Sequence, residues 1–122
     1  MGGPNDTAAA RRFQDRIGTG LYDLTGKTFL AESAAIIERA DLVIGVDTGL
    51  THLGTAFKRP TVALFGATCP YLRTPSPHTV VAYNPQACAP CKRKITCAGR
   101  YDCMNTITVV QVLKAVDQAL RI

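Results

Sequence analysis

The stretch GVDTGLTHLGTAF, Gly45 to Phe57, carries a carboxylate at Asp47, hydroxyls at Thr48 and Thr51, a bare backbone position at Gly49 and an imidazole at His52. An apolar run, DLVIGV, leads into it, and small and apolar residues lead out from Leu50 onward. A strand that ends at Asp47, followed by a helix, places unpaired peptide N–H groups and the positive end of a helix dipole beyond the strand. Gly49 lets a ligand approach that backbone with no side chain in the way. A phosphate held there takes backbone N–H groups, a threonine hydroxyl and an imidazole together. The plainer alternative is that Asp47 or Thr48 caps the helix and His52 is an ordinary polar residue with its hydrogen bonds satisfied.

A second cluster lies further along. Of the five cysteines, Cys88, Cys91, Cys97 and Cys103 fall within sixteen residues. Four thiolates in one short segment are enough for a tetrahedral structural zinc, although the spacing is not that of paired CxxC knuckles. Two disulfides or buried free thiols are the alternatives. Cys69, in a proline-rich stretch, reads as a packed or free thiol. Lys92, Arg93 and Lys94, with Arg100 and Tyr101 nearby, form a basic finger. Such a run is usually a solvated surface, and a grip on nucleic acid is the rarer use.

The elements that must position these residues alternate in type. At 122 residues, 47% hydrophobic and 19% charged, the chain suits one soluble domain with a modest core. Its formal charge of +5 favours anionic partners, though the basic residues are spread along the chain. AAARRFQDRI, preceded by Asn5, Asp6 and Thr7, predicts a helix stopped by Gly18 and Gly20. LYDLTG predicts a strand end and loop, and TFLAESAAIIERA a second helix. DLVIGV, Asp41 to Val46, has no alternation and predicts a strand buried on both faces. A helix from about Leu50 to Phe57 follows, then TVALFG as a second buried strand and TVVAY as a third.

Residues 84–105 form a Cys-rich loop inserted before a last helix, TVVQVLKAVDQALRI. There Thr108 and Gln111 are placed for a capping box, and Val109, Val112, Leu113, Val116 and Leu120 form the stripe expected to face the core. His78, between Pro77 and Thr79, reads as an exposed loop residue. The alternation argues an α/β domain with a mostly parallel sheet. Ligands of such sheets gather beyond the carboxyl ends of the strands, which is where Asp47 falls. No apolar run reaches the roughly 18 residues that span a bilayer. The opening Met1-Gly2-Gly3-Pro4 is not that of a signal peptide, so a cytoplasmic location is expected.

ADLVIGVDTGLTHLGTAFKRPTVALFGATCP resembles the nucleotide-sugar segment of glycosyltransferase family 9, the heptosyltransferases of lipopolysaccharide core assembly. That segment is an apolar strand, D-[ST]-G-x-x-H, a helix of small residues, a basic or glycine turn with proline, a second strand, and F-G-x-T-x-P. Asp47, Thr48, Gly49 and His52 match, as do Pro60, Phe65, Gly66, Thr68 and Pro70. Upstream, GGPND looks like the family's G-G-P-x-E turn, and DLTGKTFLAESAAIIERAD like its loop-and-helix segment. The Cys-rich stretch ending in Cys103-Met104 is similar to one in many relatives.

The resemblance implies a Rossmann-like parallel sheet with flanking helices, the C-terminal part of a glycosyltransferase-B fold, with residues 1–122 as a partial donor-binding domain. It implies that Asp47, Thr48, Gly49, Leu50, Thr51 and His52 contact the diphosphate and sugar of a nucleotide-sugar donor resembling ADP-heptose. Asp6 would grip the ribose, one methylene shorter than the family's usual Glu. Tyr71 and Arg73 either line the donor pocket or pack. The implied reaction is inverting glycosyl transfer to a lipopolysaccharide core acceptor, with no cofactor required and structural zinc as a separate candidate. The family's acceptor domain and its carboxylate base have no counterpart in these residues, so the chain is expected to bind donor and not to catalyse. A peripheral place at the inner membrane follows from the acceptor, and the basic finger would then meet phosphorylated acceptor lipid and not nucleic acid. An unpaired sheet edge predicts self-association into a homo-oligomer. Two competing readings stand beside this one: a four-cysteine zinc module that contacts nucleic acid or protein through its basic loop, and another sugar-nucleotide transferase or epimerase of the same architecture.

Overall fold

The computed structural model describes residues 1–92, 94 and 96–121, so Arg93 of the basic finger lies outside the described residues. The chain divides into two compact units, Met1–Ile36 and Ile37–Ile122. In the first, a 3₁₀ turn at Pro4–Asp6 runs into helix α1, Thr7–Ile17, which ends on Gly18 at φ 78°. Thr7 Oγ1 donates to the Pro4 carbonyl at 2.8 Å, and Gly26 N donates to the Gly2 carbonyl at 2.9 Å, tying the start of the chain to the segment around residue 25. That segment forms no strand. Asp23 Oδ1 accepts from Thr25 N at 2.9 Å and Lys27 Nζ donates to the Asp23 carbonyl at 2.9 Å, so local side-chain bonds take the place of a ladder. Helix α2, Leu30–Glu38, carries the boundary between the units, and Glu32 Oε2 accepts from Phe29 N at its start.

The second unit is a parallel three-stranded sheet in the order β1 (Val43–Val46), β2 (Thr61–Phe65), β3 (Thr79–Tyr83). Helix α3, Gly49–Ala56, connects β1 to β2, a short α4 spans Asp102–Asn105, and α5 spans Val109–Leu120. Side chains alternate across a strand, so the two faces of β2 can be assigned by their neighbours. Thr61 lies against Gly54 of α3, and Val62 packs with Ala115 and Ala119 of α5. A Cβ on Gly54 would come within 3.2 Å of the Val43 Cβ, and one on Gly45 would collide with Thr51 Oγ1. These two glycines therefore set how closely α3 approaches β1 and β2.

Three further expectations need correction. β1 is not buried on both faces: Ile44 and Val46 are 49% and 44% exposed. They are in register with Val62 and Leu64, on the face that α5 covers over β2 and β3, but α5 does not extend to the sheet edge. The expected apolar stripe of α5 also differs. Ala115 and Ala119 are buried and Val116 packs against the core, while Val109, Leu113 and Leu120 are exposed. Small residues bring the helix close to the sheet and leave its large ones outside. His78 is half-buried, its carbonyl accepting from Thr61 N at 2.8 Å.

Thr108 caps α5, its Oγ1 accepting from Gln111 N at 3.1 Å. The Gln111 side chain instead exchanges two hydrogen bonds with the Asn84 amide, at 2.9 and 3.1 Å, and Asn84 also donates to the Thr106 carbonyl at 2.8 Å.

Candidate functional site

Asp47 follows β1 directly, and Thr48 takes an extended conformation (φ −137°, ψ 161°) that ends the strand and starts α3. The Thr48 side chain makes no capping bond. Its carbonyl accepts from Thr51 N and His52 N, and the N–H groups of Gly49 and Leu50 form the open end of the helix. Thr48 and Gly49 are exposed, and a Cβ at Gly49 would meet nothing within 4 Å. The space in front of this helix end is open.

The Asp47 carboxylate reaches across the site. Asp47 Oδ1 lies 2.9 Å from His52 Nε2, and Oδ2 accepts a short hydrogen bond from Thr68 Oγ1. His52 Nδ1 lies 3.0 Å from the Tyr71 hydroxyl. Burial pushes the Tyr71 phenol above its ordinary range; the Thr55 hydroxyl opposes this and the Asp47 charge adds to it. Burial, followed by the same charge, also raises the Cys69 thiol. Two concavities, of about 230 and 290 Å³, share Asp47 and Thr68 as lining. The first is otherwise lined mainly by Val46, Leu64 and Met104, the second by Cys69, Pro70, Pro90 and Lys92.

Of the residues expected at the site, Asp47, Thr48, Gly49 and His52 gather at the carboxyl end of β1, with Leu50 half-buried beside them. Thr51 is 1% exposed and packs α3 onto Gly45, away from the open side. Asp6 belongs to the first unit, where its Oδ2 accepts from Gly3 N at 3.0 Å. Thr68 and Tyr71, on the loop after β2, join the site as partners of Asp47 and His52. The F-G-x-T-x-P match carried a signal for Thr68. Lys92 reaches the second concavity because its N–H donates to the Ala67 carbonyl at 2.8 Å, a contact that no local pattern announces.

The cysteines behave differently. All five are free thiols, and among the described residues no three His, Cys, Asp or Glu side chains converge on a metal-sized site. Cys97 and Cys103 are buried, and Cys88 and Cys91 half-buried. The Cys97 thiol is held below its ordinary range, chiefly by the backbone N–H of Tyr101.

The site is thus a strand end, an acid, a helix end with no Thr48 side-chain cap, and a histidine one turn on. The model of glycosyltransferase family 9 (heptosyltransferase) matches residues 1–102. The chain belongs to that family. Among its relatives, lipopolysaccharide heptosyltransferase 1 of Campylobacter coli is 32% identical over 100 residues, which is 79% of this chain and 28% of that protein. The same-named protein of Salmonella typhimurium is 38% identical over 71 residues, 58% of this chain and 22% of the relative. Two solved structures share the fold over 98% of this chain: a family 9 glycosyltransferase from Veillonella parvula, at TM-score 0.78 and 30% identity, and the E. coli ADP-heptose lipopolysaccharide heptosyltransferase II, at TM-score 0.76 and 26%. Each covers this chain with 35% of its own length, so the chain spans about a third of these family 9 proteins. The parallel sheet with flanking helices is thus the family's glycosyltransferase-B-like arrangement. Among the described residues no helix is long and apolar enough to cross a membrane.

Proposed function

We propose that these residues hold the nucleotide-sugar donor of a lipopolysaccharide heptosyltransferase. The open, uncapped N-terminus of α3 directly after Asp47 carries this reading. In it the N–H groups of Gly49 and Leu50 take a phosphate of the donor's diphosphate, helped by the Thr48 hydroxyl. Asp47, an acceptor only when ionised, faces sugar hydroxyls and not phosphate. Lys92, at the mouth of the adjoining concavity, offsets the anionic charge. As the glycosidic bond to phosphate breaks, negative charge grows on the leaving diphosphate, and the helix end stabilises it more in the transition state than in the ground state. No residue here is assigned as general base, so the 122-residue chain is expected to bind donor without transferring its sugar. The enzyme is proposed as a cytoplasmic one working at the inner-membrane face, with ADP as the nucleotide.

Calorimetric titration of ADP, UDP and ADP-heptose tests the reading. ADP is expected to bind in preference to UDP, and His52→Ala to weaken binding of ADP-heptose, whose sugar faces Asp47, roughly fivefold to tenfold. Failure of the folded chain to bind either nucleotide would overturn the donor site, and UDP preference would move the assignment to another sugar-nucleotide enzyme. We also propose that the unpaired edge of β1, with Ile44 and Val46 exposed, drives self-association. A monomer in sedimentation across a wide concentration range counts against that.

A further inference from the structure

Both ring nitrogens of His52 are engaged, Nε2 by Asp47 at 2.9 Å and Nδ1 by the Tyr71 hydroxyl at 3.0 Å. An ionised carboxylate only accepts, so the Nε2 proton points at Asp47. In the neutral ring Nδ1 then carries a lone pair, and the Tyr71 O–H is the donor that meets it. Burial favours the protonated phenol, which keeps that donor in place. Tyr71 is itself fixed. Its ring stands edge-on to Phe65, with centroids 5.1 Å apart and planes at 79°, and its carbonyl accepts from the Cys69 thiol at 3.6 Å. Phe65 is fully buried at the end of β2. Position is therefore passed from the sheet through Phe65 and Tyr71 to His52, and from His52 to Asp47.

We propose that Tyr71 is a positioning residue: by its hydrogen bond to Nδ1 it holds the His52 ring, whose Nε2 proton Asp47 fixes, and so aims the Asp47 carboxylate at the sugar of the donor. The sugar in this statement rests on the donor-site reading, whereas the hydrogen-bonded relay does not. A tyrosine hydroxyl can also turn and accept, so the ring keeps its place when it is protonated. Phenylalanine at this position retains the packing on Phe65 and removes only the hydroxyl.

The test uses the 122-residue chain with isotope-labelled histidine ring nitrogens, His52→Ala assigning the His52 signals against those of His78. The unsubstituted chain is expected to carry the His52 proton on Nε2 with Nδ1 accepting a hydrogen bond, and Tyr71→Phe to keep the proton on Nε2 while its Nδ1 signal moves to that of a nitrogen that has lost this bond. ADP-heptose is then titrated into both, and Tyr71→Phe is expected to bind it roughly twofold to tenfold more weakly. A proton on Nδ1 in the unsubstituted chain overturns the positioning role without any variant, as does a folded Tyr71→Phe whose Nδ1 signal is unchanged. Equal ADP-heptose binding despite an altered Nδ1 signal overturns the link to the sugar. If the unsubstituted chain shows the expected tautomer and does not bind ADP-heptose, the donor-site reading fails and the relay stands.

Discussion

Asp47, His52, Thr68 and Tyr71 are spread over positions 47 to 71 and meet through hydrogen bonds, whereas Cys88, Cys91, Cys97 and Cys103 share one short stretch, and among the described residues no three such side chains converge on a metal-sized site. The first group sits where β1 and β2 end side by side in a parallel sheet. Adjacent strands of that kind deliver their following loops to one edge at a spacing set by the ladder, so residues distant in sequence arrive together. The second group hangs between β3 and α5, where the regular structure among the described residues is a Gln86–Ala89 bridge and the four residues of α4. Proximity in sequence supplies candidates, and a site also needs rigid elements beneath it.

If the sheet positions the first group, removing its support should cost most. Phe65→Ala, which empties a fully buried position beneath Tyr71, is expected to lose about 3–5 kcal/mol in urea unfolding. A small loss would mean that the loop after β2 orders itself without the strand. Next is Gly49→Ala. The Cβ enters open space, so stability should stay within about 0.5 kcal/mol. ADP binding should nonetheless fall on the order of tenfold, because the methyl stands where a phosphate would approach the backbone. Unchanged affinity would move the ligand away from the helix end.

Two smaller effects probe the cysteine segment. Chelation with EDTA is expected to leave Tm unchanged. A fall of several degrees would show the four thiolates gathered on a metal and would cancel the contrast. The thiols should also differ from one another under iodoacetamide. Cys97 is held below the ordinary value of 9.0 by backbone N–H groups and Cys69 above it by burial. Below that value Cys97 carries the larger thiolate fraction and should be alkylated faster. The difference should shrink as pH rises through 9.0 and Cys69 ionises in turn. Equal rates by peptide mapping at neutral pH would mean that the turn after Cys97 does not hold its thiolate.

Sequence patterns reached the parts of the fold that local chemistry decides. The unbroken apolar run from Thr61 to Phe65 became the central strand, and the strand-to-helix change at Asp47 fell where the residue types placed it. Edge and centre could not be told apart in the same way. DLVIGV reads like TVALF, yet β1 is exposed because nothing pairs beyond it among the described residues. In α5 the large residues drew attention, while the close approach depends on Ala115 and Ala119. The Tyr71–His52 bond, across 19 positions, needed the crossover through β2 before it could be seen.

The paired amides of Asn84 and Gln111 bear on how this fold can vary. They close the Cys-rich segment at its base, one at the exit of β3 and the other in the first turn of α5, so the sheet and last helix are joined independently of what lies between. Closing a longer loop adds only about 0.6 kcal/mol for each doubling of its length. Insertions or grafted sequences among the exposed residues Ala98 to Arg100 should therefore leave the strand-end chemistry undisturbed. A reporter or affinity handle could be built in there.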